Sequence, residues 1–167
     1  SKSRALLAIK RRISTKARTG WRIGYAIASE EIVTLMNQMM VMMMGNATAV
    51  AQKAAEASIT GPQDFVEESV AIYKARRDAA VEIFREEGVG CYYPHGSFYI
   101  MVDIACCDMD SEEFALKLLA EDKVAVAPGG TFGKSASQMI RISCGTDMED
   151  LKEGVRRLCR FIKKYTK

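Results

Sequence analysis

From Gln63 to Glu87 the apolar residues Phe65, Val66, Val70, Ile72, Tyr73, Ala80, Ile83 and Phe84 recur among charged ones at helical spacing. This predicts one long amphipathic helix, closed by Gly88 and Gly90. The period then changes. Val89 to Tyr93 reads as a short strand, Pro94-His95-Gly96 as a turn, and Ser97 to Ile104 as a strong strand with Phe98 to Val102 at its centre. Asp110 or Ser111 is placed to cap a helix running through Leu119, with Phe114, Leu118 and Leu119 as its apolar side. Val124 to Pro128 reads as a strand entering the loop Gly129-Gly130-Thr131-Phe132-Gly133, and Met139 to Cys144 as another strand. Asp147 caps a final helix, Met148 to Tyr165, with Leu151, Val155, Leu158, Phe161 and Ile162 on one face. The expected fold class over residues 62–167 is therefore α+β, a small domain whose helices cover one face of a small sheet.

Upstream the pattern is different. Ser29 followed by Glu30-Glu31 is an N-cap signal with acids in the first turn. Ile32, Leu35, Met36, Met39, Met40 and Met43 continue at helical spacing, and Val41, Met42 and Met44 make the later turns apolar nearly all round. Such a helix is expected to be buried on several sides, in a core or a subunit contact. Gly45 ends it, and Asn46 is placed to cap an alanine-rich helix from Ala47 to about Ile59. Gly61-Pro62 is the clearest boundary, a glycine stop before a proline suited to a first helical turn, and divides a segment 1–61 from a domain 62–167. Near the start, Thr19-Gly20-Trp21-Arg22-Ile23-Gly24-Tyr25 reads as a short β-type run with one arginine at its mouth. A guanidinium held there suits a phosphate.

Charge sharpens this division. The 167 residues carry a net +3, but residues 1–22 hold eight Lys and Arg and no acid, so the other 145 carry −5. The basic head 1–18 superficially fits a transit peptide or a nucleic-acid contact. It lacks aromatic interleaving or a known motif, and is read as an atypical, solvated start to a larger domain, with no nucleic-acid partner. The longest apolar stretch, Met39 to Met44, is far below the roughly 18 residues of a membrane span, so no membrane partner is expected. Five cysteines, odd in number and not spaced as metal ligands, are expected to be buried reduced thiols of a cytosolic protein. The adjacent Cys106 and Cys107 would point apart in extended backbone. With His95 the sole histidine, a zinc site or a Ser-His-Asp triad has little to build on.

The order Gly20-Trp21-Arg22-Ile23-Gly24-Tyr25, Asn46 to Gln52, Arg76-Arg77-Asp78, Pro94 to Tyr99, Val126 to Gly133 and Ile140-Arg141-Ile142-Ser143 resembles the C-terminal part of class I/II aminotransferases. These are fold-type-I enzymes dependent on pyridoxal 5'-phosphate, and the likeness is to the aspartate, aromatic and alanine group over residues 19–167. The resemblance implies that residues 1–61 are the tail of the large α/β cofactor-binding domain, its last strand and helices, and 62–167 the small C-terminal domain. It implies that Arg22 contacts the cofactor phosphate, with Ser14 also at the cofactor, and that Arg141 grips the substrate α-carboxylate. A surface ion pair is the plainer use of a strand arginine; the flanking Ile140 and Ile142, which read as buried, weigh against it. Gly96 and Phe98 match the turn and strand packed near the substrate, and Gly129-Gly130 a substrate-side loop.

In this family a lysine holds pyridoxal phosphate as a Schiff base and then moves a proton at the α-carbon. That lysine stands seven positions before the tryptophan, which here is Ser14. Lys16, five positions before Trp21, is the candidate lysine. The expected activity is amino-group transfer between an amino acid and a 2-oxo acid by a cytoplasmic homodimer. The family's ring-stacking aromatic, its aspartate for the pyridine nitrogen and its other phosphate donors precede the lysine. This chain alone is therefore expected to be an inactive C-terminal fragment that self-associates through Leu35 to Met44. The alternative is a non-catalytic truncated relative serving as a dimerisation or interaction module.

Overall fold

The computed structural model describes residues 22–166. The chain divides into two compact units, the second beginning at Ser69.

In the first unit, Arg22 sits in a turn at φ +51° and residues 23–29 run as irregular backbone, so the described part of the expected β-type run forms no strand. An extended run needs a ladder partner to become a strand, and none pairs with it among the described residues. Helix α1 (Glu30–Met43) begins where its acids predict, with Ser29 extended at the N-cap position, although the Ser29 hydroxyl makes no capping bond. None of its residues is buried. The expected burial on several sides is therefore absent within the described residues: Val41 is 67% and Met42 87% exposed. Helix α2 (Ala49–Thr60) is capped by Thr48, whose Oγ1 accepts from the Ala51 N–H at 3.3 Å, rather than by Asn46. Gly61 closes it by donating to the Ala57 carbonyl at 2.9 Å. Helix α3 (Asp64–Glu86) follows, and from Ser69 onward it belongs to the second unit.

The second unit is built on an antiparallel sheet of β1 (Cys91–Tyr92), β2 (Tyr99–Asp103), β3 (Ala127–Pro128) and β4 (Met139–Ser143), in the order β1-β2-β4-β3. In the β2–β4 register Ile100 faces Ile142 and Val102 faces Ile140. All four are buried, because alternate residues of paired strands share a face. That face packs with Ile83 and Phe84 of α3, Phe114 and Leu118 of α4 (Ser111–Asp122), and Leu151, Val155, Leu158 and Phe161 of α5 (Met148–Tyr165). Phe114 and Phe161 meet edge to face at 5.1 Å and 84°. The result is the α+β layer that the pattern implies.

Several details differ, and the first two strands are shorter than expected, Cys91–Tyr92 within 89–93 and Tyr99–Asp103 within 97–104. Leu119 is exposed and Ala115 buried in its place, which rotates the inward side of α4 by part of a turn. Only Ala127 and Pro128 of the expected 124–128 strand pair with β4. After β3, Gly129–Phe132 winds into one 3₁₀ turn, so the expected glycine loop has a defined shape. Gly129 is buried, and a methyl there would overlap the carbonyl oxygens of Ala136 and Met139.

Candidate functional site

The face of the sheet opposite the core carries Tyr99, Met101, Arg141 and Met139, all of them half-buried. Met101 stands directly across from Arg141, which makes Tyr99 a diagonal neighbour on the same face, within reach of a long side chain. On the other flank Ala127 of β3 pairs with Arg141, and the 3₁₀ turn that follows brings Phe132 back over it. The turn is fixed by a Gly130 N–H bond to Ser111 Oγ at 3.0 Å and by Thr131 Oγ1 donating to the Pro128 carbonyl at 2.7 Å.

The Arg141 guanidinium carbon accordingly lies 4.1 Å from the centre of the Tyr99 ring and 4.4 Å from that of Phe132. Each contact is attractive by about 0.5–1 kcal/mol, the range for a pair still open to solvent on one side. Their geometric effect matters more. Aromatic rings occupy the space beside the cation, while its N–H fork stays uncommitted among the described residues. No ion pair reaches Arg141 among the described residues. A cation with that freedom and a restrained orientation suits a planar carboxylate held through two parallel hydrogen bonds.

Arg77 shows the contrast. It bonds Asp78 through Nε and Nη2 at 2.8 and 2.7 Å, reaches the Pro94 carbonyl at 3.3 Å and stacks on Tyr93 at 4.5 Å. Tyr93 OH adds a bond to Asp78 at 3.2 Å. Arg77 beside Asp78 holds its carboxyl below the usual carboxylate range. Arg77 and Asp78 of the Arg76-Arg77-Asp78 motif thus tie α3 to the Pro94 turn. Ser97, not Gly96, takes the positive φ there (+72°), and the turn delivers Phe98 between Tyr73 at 5.5 Å and Tyr99 at 4.3 Å.

Arg22 is exposed and belongs to the first unit, whereas Arg141 belongs to the second. Lys16 and Ser14 lie outside the described residues. Sequence reasoning missed the two rings that hold Arg141. Tyr99 and Phe132 were visible within the motifs, but only the β2–β4 register and the 3₁₀ turn reveal their common target. Cys107, Cys144 and Cys159 are buried, Cys91 is partly so, and none of the described cysteines is bridged. Burial pushes the Cys159 thiol up to about 11. Cys106 corrects the expectation of buried thiols, since it is exposed. His95 is exposed beside Tyr93, and no cluster of three metal-ligating side chains occurs among the described residues. No helix among them is long and apolar enough to cross a membrane.

The family profile for aminotransferase class I and II matches residues 16–158. The chain belongs to that family. It is 39% identical over 150 residues to a putative aminotransferase, YugH, of Bacillus subtilis, covering 90% of this chain and 39% of that protein. It is 34% identical to the aspartate aminotransferase of the same organism, over 89% of this chain and 39% of the relative. Among solved structures, the aromatic aminotransferase of Pyrococcus horikoshii superposes with a TM-score of 0.79 at 32% identity, over 89% of this chain and 40% of that one. A Thermus thermophilus aspartate aminotransferase mutant gives a TM-score of 0.73 at 33% identity, over 87% and 40%. This aminotransferase chain spans about two fifths of the length of the curated relatives it matches.

Proposed function

We propose that this chain is the C-terminal part of an aminotransferase that moves an amino group between an amino acid and a 2-oxo acid, with Arg141 holding the substrate's α-carboxylate. The observation that carries the reading is the arginine between Tyr99 and Phe132, uncommitted to any acid among the described residues. An orientation fixed before binding lowers the entropy cost of gripping the carboxylate and sets the plane in which the α-carbon is presented.

The family's cofactor is pyridoxal 5'-phosphate, and the donor chemistry here fits part of its site. Arg22, an exposed guanidinium, suits the phosphate. Ser14 and Lys16 are the positions proposed beside it, Lys16 as the amine that holds the group. When bound, the cofactor supplies an electron sink for the bond broken at the α-carbon. Arg141 reads only the carboxylate shared by all amino acids, so discrimination among side chains falls to other residues. The working form is proposed to be a cytoplasmic homodimer. This chain alone is proposed not to transaminate, a reading supported by its spanning only about two fifths of the length of the relatives it matches.

The test is a chimera in which residues 19–167 replace the matching C-terminal part of the B. subtilis aspartate aminotransferase. It is expected to turn over an amino acid and a 2-oxo acid, and Arg141→Ala to lower kcat/KM roughly 10- to 150-fold, the range for a charged hydrogen-bonded pair of about 1.5–3 kcal/mol. A folded, active chimera indifferent to that substitution would remove Arg141 from its role. The isolated chain, given pyridoxal phosphate and both substrates, should show no turnover.

A further inference from the structure

The backbone from Ile104 to Cys107 closes into a tight turn. The Cys107 N–H donates to the Ile104 carbonyl at 2.9 Å, and Asp103 Oδ1 accepts from the Ala105 N–H at 2.8 Å. This turn overrides the alternation of extended backbone, and the two adjacent sulfurs come to lie 4.0 Å apart. Cys106 is exposed and Cys107 is 3% exposed, so the pair has one open and one seated thiol. Around them, Cys107 Sγ reaches the Ile162 carbonyl at 3.8 Å, Thr166 Oγ1 reaches Cys106 Sγ at 3.6 Å, and Cys107 forms a β-bridge with Thr166.

Two chemistries could use such a pair, and geometry separates them. A disulfide needs sulfurs about 2.05 Å apart and α-carbons usually 4.4–6.8 Å apart. Adjacent residues hold their α-carbons about 3.8 Å apart, so that bond would be strained and easily reduced. A single thiophilic centre bonded to both sulfurs at about 2.3 Å holds them roughly 3.4 Å apart at a near-right bond angle and about 3.8 Å at a tetrahedral one, within a modest side-chain rotation of the 4.0 Å present. A zinc ion would want two further ligands, and no cluster of three or more ligating groups exists among the described residues.

We propose that Cys106 and Cys107 form a dithiol site that captures trivalent organoarsenicals. The reaction condenses an arsenoxide, R–As=O, with two thiols to give R–As(S-Cys)₂. Two S–H bonds break, two As–S bonds form, and the oxygen leaves as water with both protons. Arsenic stays trivalent, so no oxidant or reductant is needed. Burial and the neighbouring Cys106 push the Cys107 thiol up to about 12. A thiol kept protonated is a poor ligand for a divalent metal, which binds thiolate, but it remains competent for a condensation that removes its proton as water.

The experiment treats the 167-residue chain with phenylarsine oxide and follows it by intact and peptide mass spectrometry. The expected result is one equivalent bound across Cys106 and Cys107, released by 2,3-dimercaptopropanol and resistant to the same thiol concentration of 2-mercaptoethanol. Cys106→Ser, at an exposed position, should keep the circular dichroism spectrum and weaken retention roughly 100-fold, the scale of losing the second, intramolecular attachment. Cys91→Ser should bind as the parent does. The proposal is overturned if no adduct forms, if Cys106→Ser retains it as tightly, if the monothiol strips it as readily as the dithiol, or if it maps to other cysteines.

Discussion

The two rings beside Arg141 are not equally held. Tyr99 is half-buried and leans on Phe98, which leans in turn on Tyr73, whereas Phe132 is 52% exposed at the end of a single 3₁₀ turn. Removing the looser ring tests whether orientation matters as well as charge. In the chimera, Phe132→Leu is expected to raise KM a few-fold, in keeping with a contact of about 0.5–1 kcal/mol. Arg141→Lys should cost more than Phe132→Leu despite keeping the charge, because an ammonium lacks the two-pronged fork. Steady-state kinetics of the two variants side by side would decide it; a lysine variant matching the parent would show that charge alone suffices. A second residue-scale expectation concerns Gly129. A methyl there overlaps two backbone carbonyls, and backbone cannot swing aside as a side chain can. Gly129→Ala should therefore destabilise the second unit by about 1–3 kcal/mol or more, read from the shift of its urea midpoint.

At the scale of elements, α5 depends on its first turn. Asp147 accepts the Asp150 N–H at 3.0 Å, and hydrogen bonding to the Asp150 backbone leads the causes that lower its pKa below the ordinary carboxylate value. A group whose folded pKa is depressed contributes its stability above the unfolded pKa and loses it as pH falls through the folded one. Asp147→Ala should thus lower the thermal midpoint at pH 7, and the gap between variant and parent should close as pH falls below about 4. A gap independent of pH would deny the charged cap its role. This helix was also the most legible part of the sequence: Asp147, the acids after it and the stripe Leu151, Val155, Leu158, Phe161 and Ile162 mark its start and face without ambiguity. For α4 the pattern leaves Asp110 and Ser111 both open, and the structure selects Asp110, whose carboxylate accepts two N–H bonds at 2.9 Å. For α2 the pattern favours Asn46 as the cap, but the helix begins at Ala49 and Thr48 takes that place, because the side-chain oxygen that reaches the Ala51 N–H is the one three residues before it. The 104–107 turn and the site around Arg141 were hidden for a different reason. They depend on which strand lies beside which, and in what register, and no local period encodes that pairing.

At the scale of the whole molecule the two units differ in how far they satisfy their own apolar residues. The second has an extensive core in which Phe84, Phe114, Phe161, Ile100 and Leu118 are fully enclosed. In the first, α1 buries nothing, and Leu35, Met36, Met39, Met40 and Val41 to Met44 are all exposed. Monomeric soluble proteins rarely leave a contiguous apolar patch of that kind uncovered, and the matched relatives are some two and a half times longer than the part this chain represents. The apolar face calls for cover, and in a solution of this chain alone the available cover is a second copy. The expected behaviour is self-association through Leu35 to Met44, with an elution volume in size-exclusion chromatography that moves to larger size as concentration rises, as mass action requires. Met39→Lys with Met43→Lys places charges one helical turn apart on that face, at positions 61% and 74% exposed, so folding of α1 should survive the change. The double variant should elute as a monomer and keep the parent's unfolding transition for the second unit. A parent chain that remains monomeric at high concentration would mean that α1 finds its cover within the same chain.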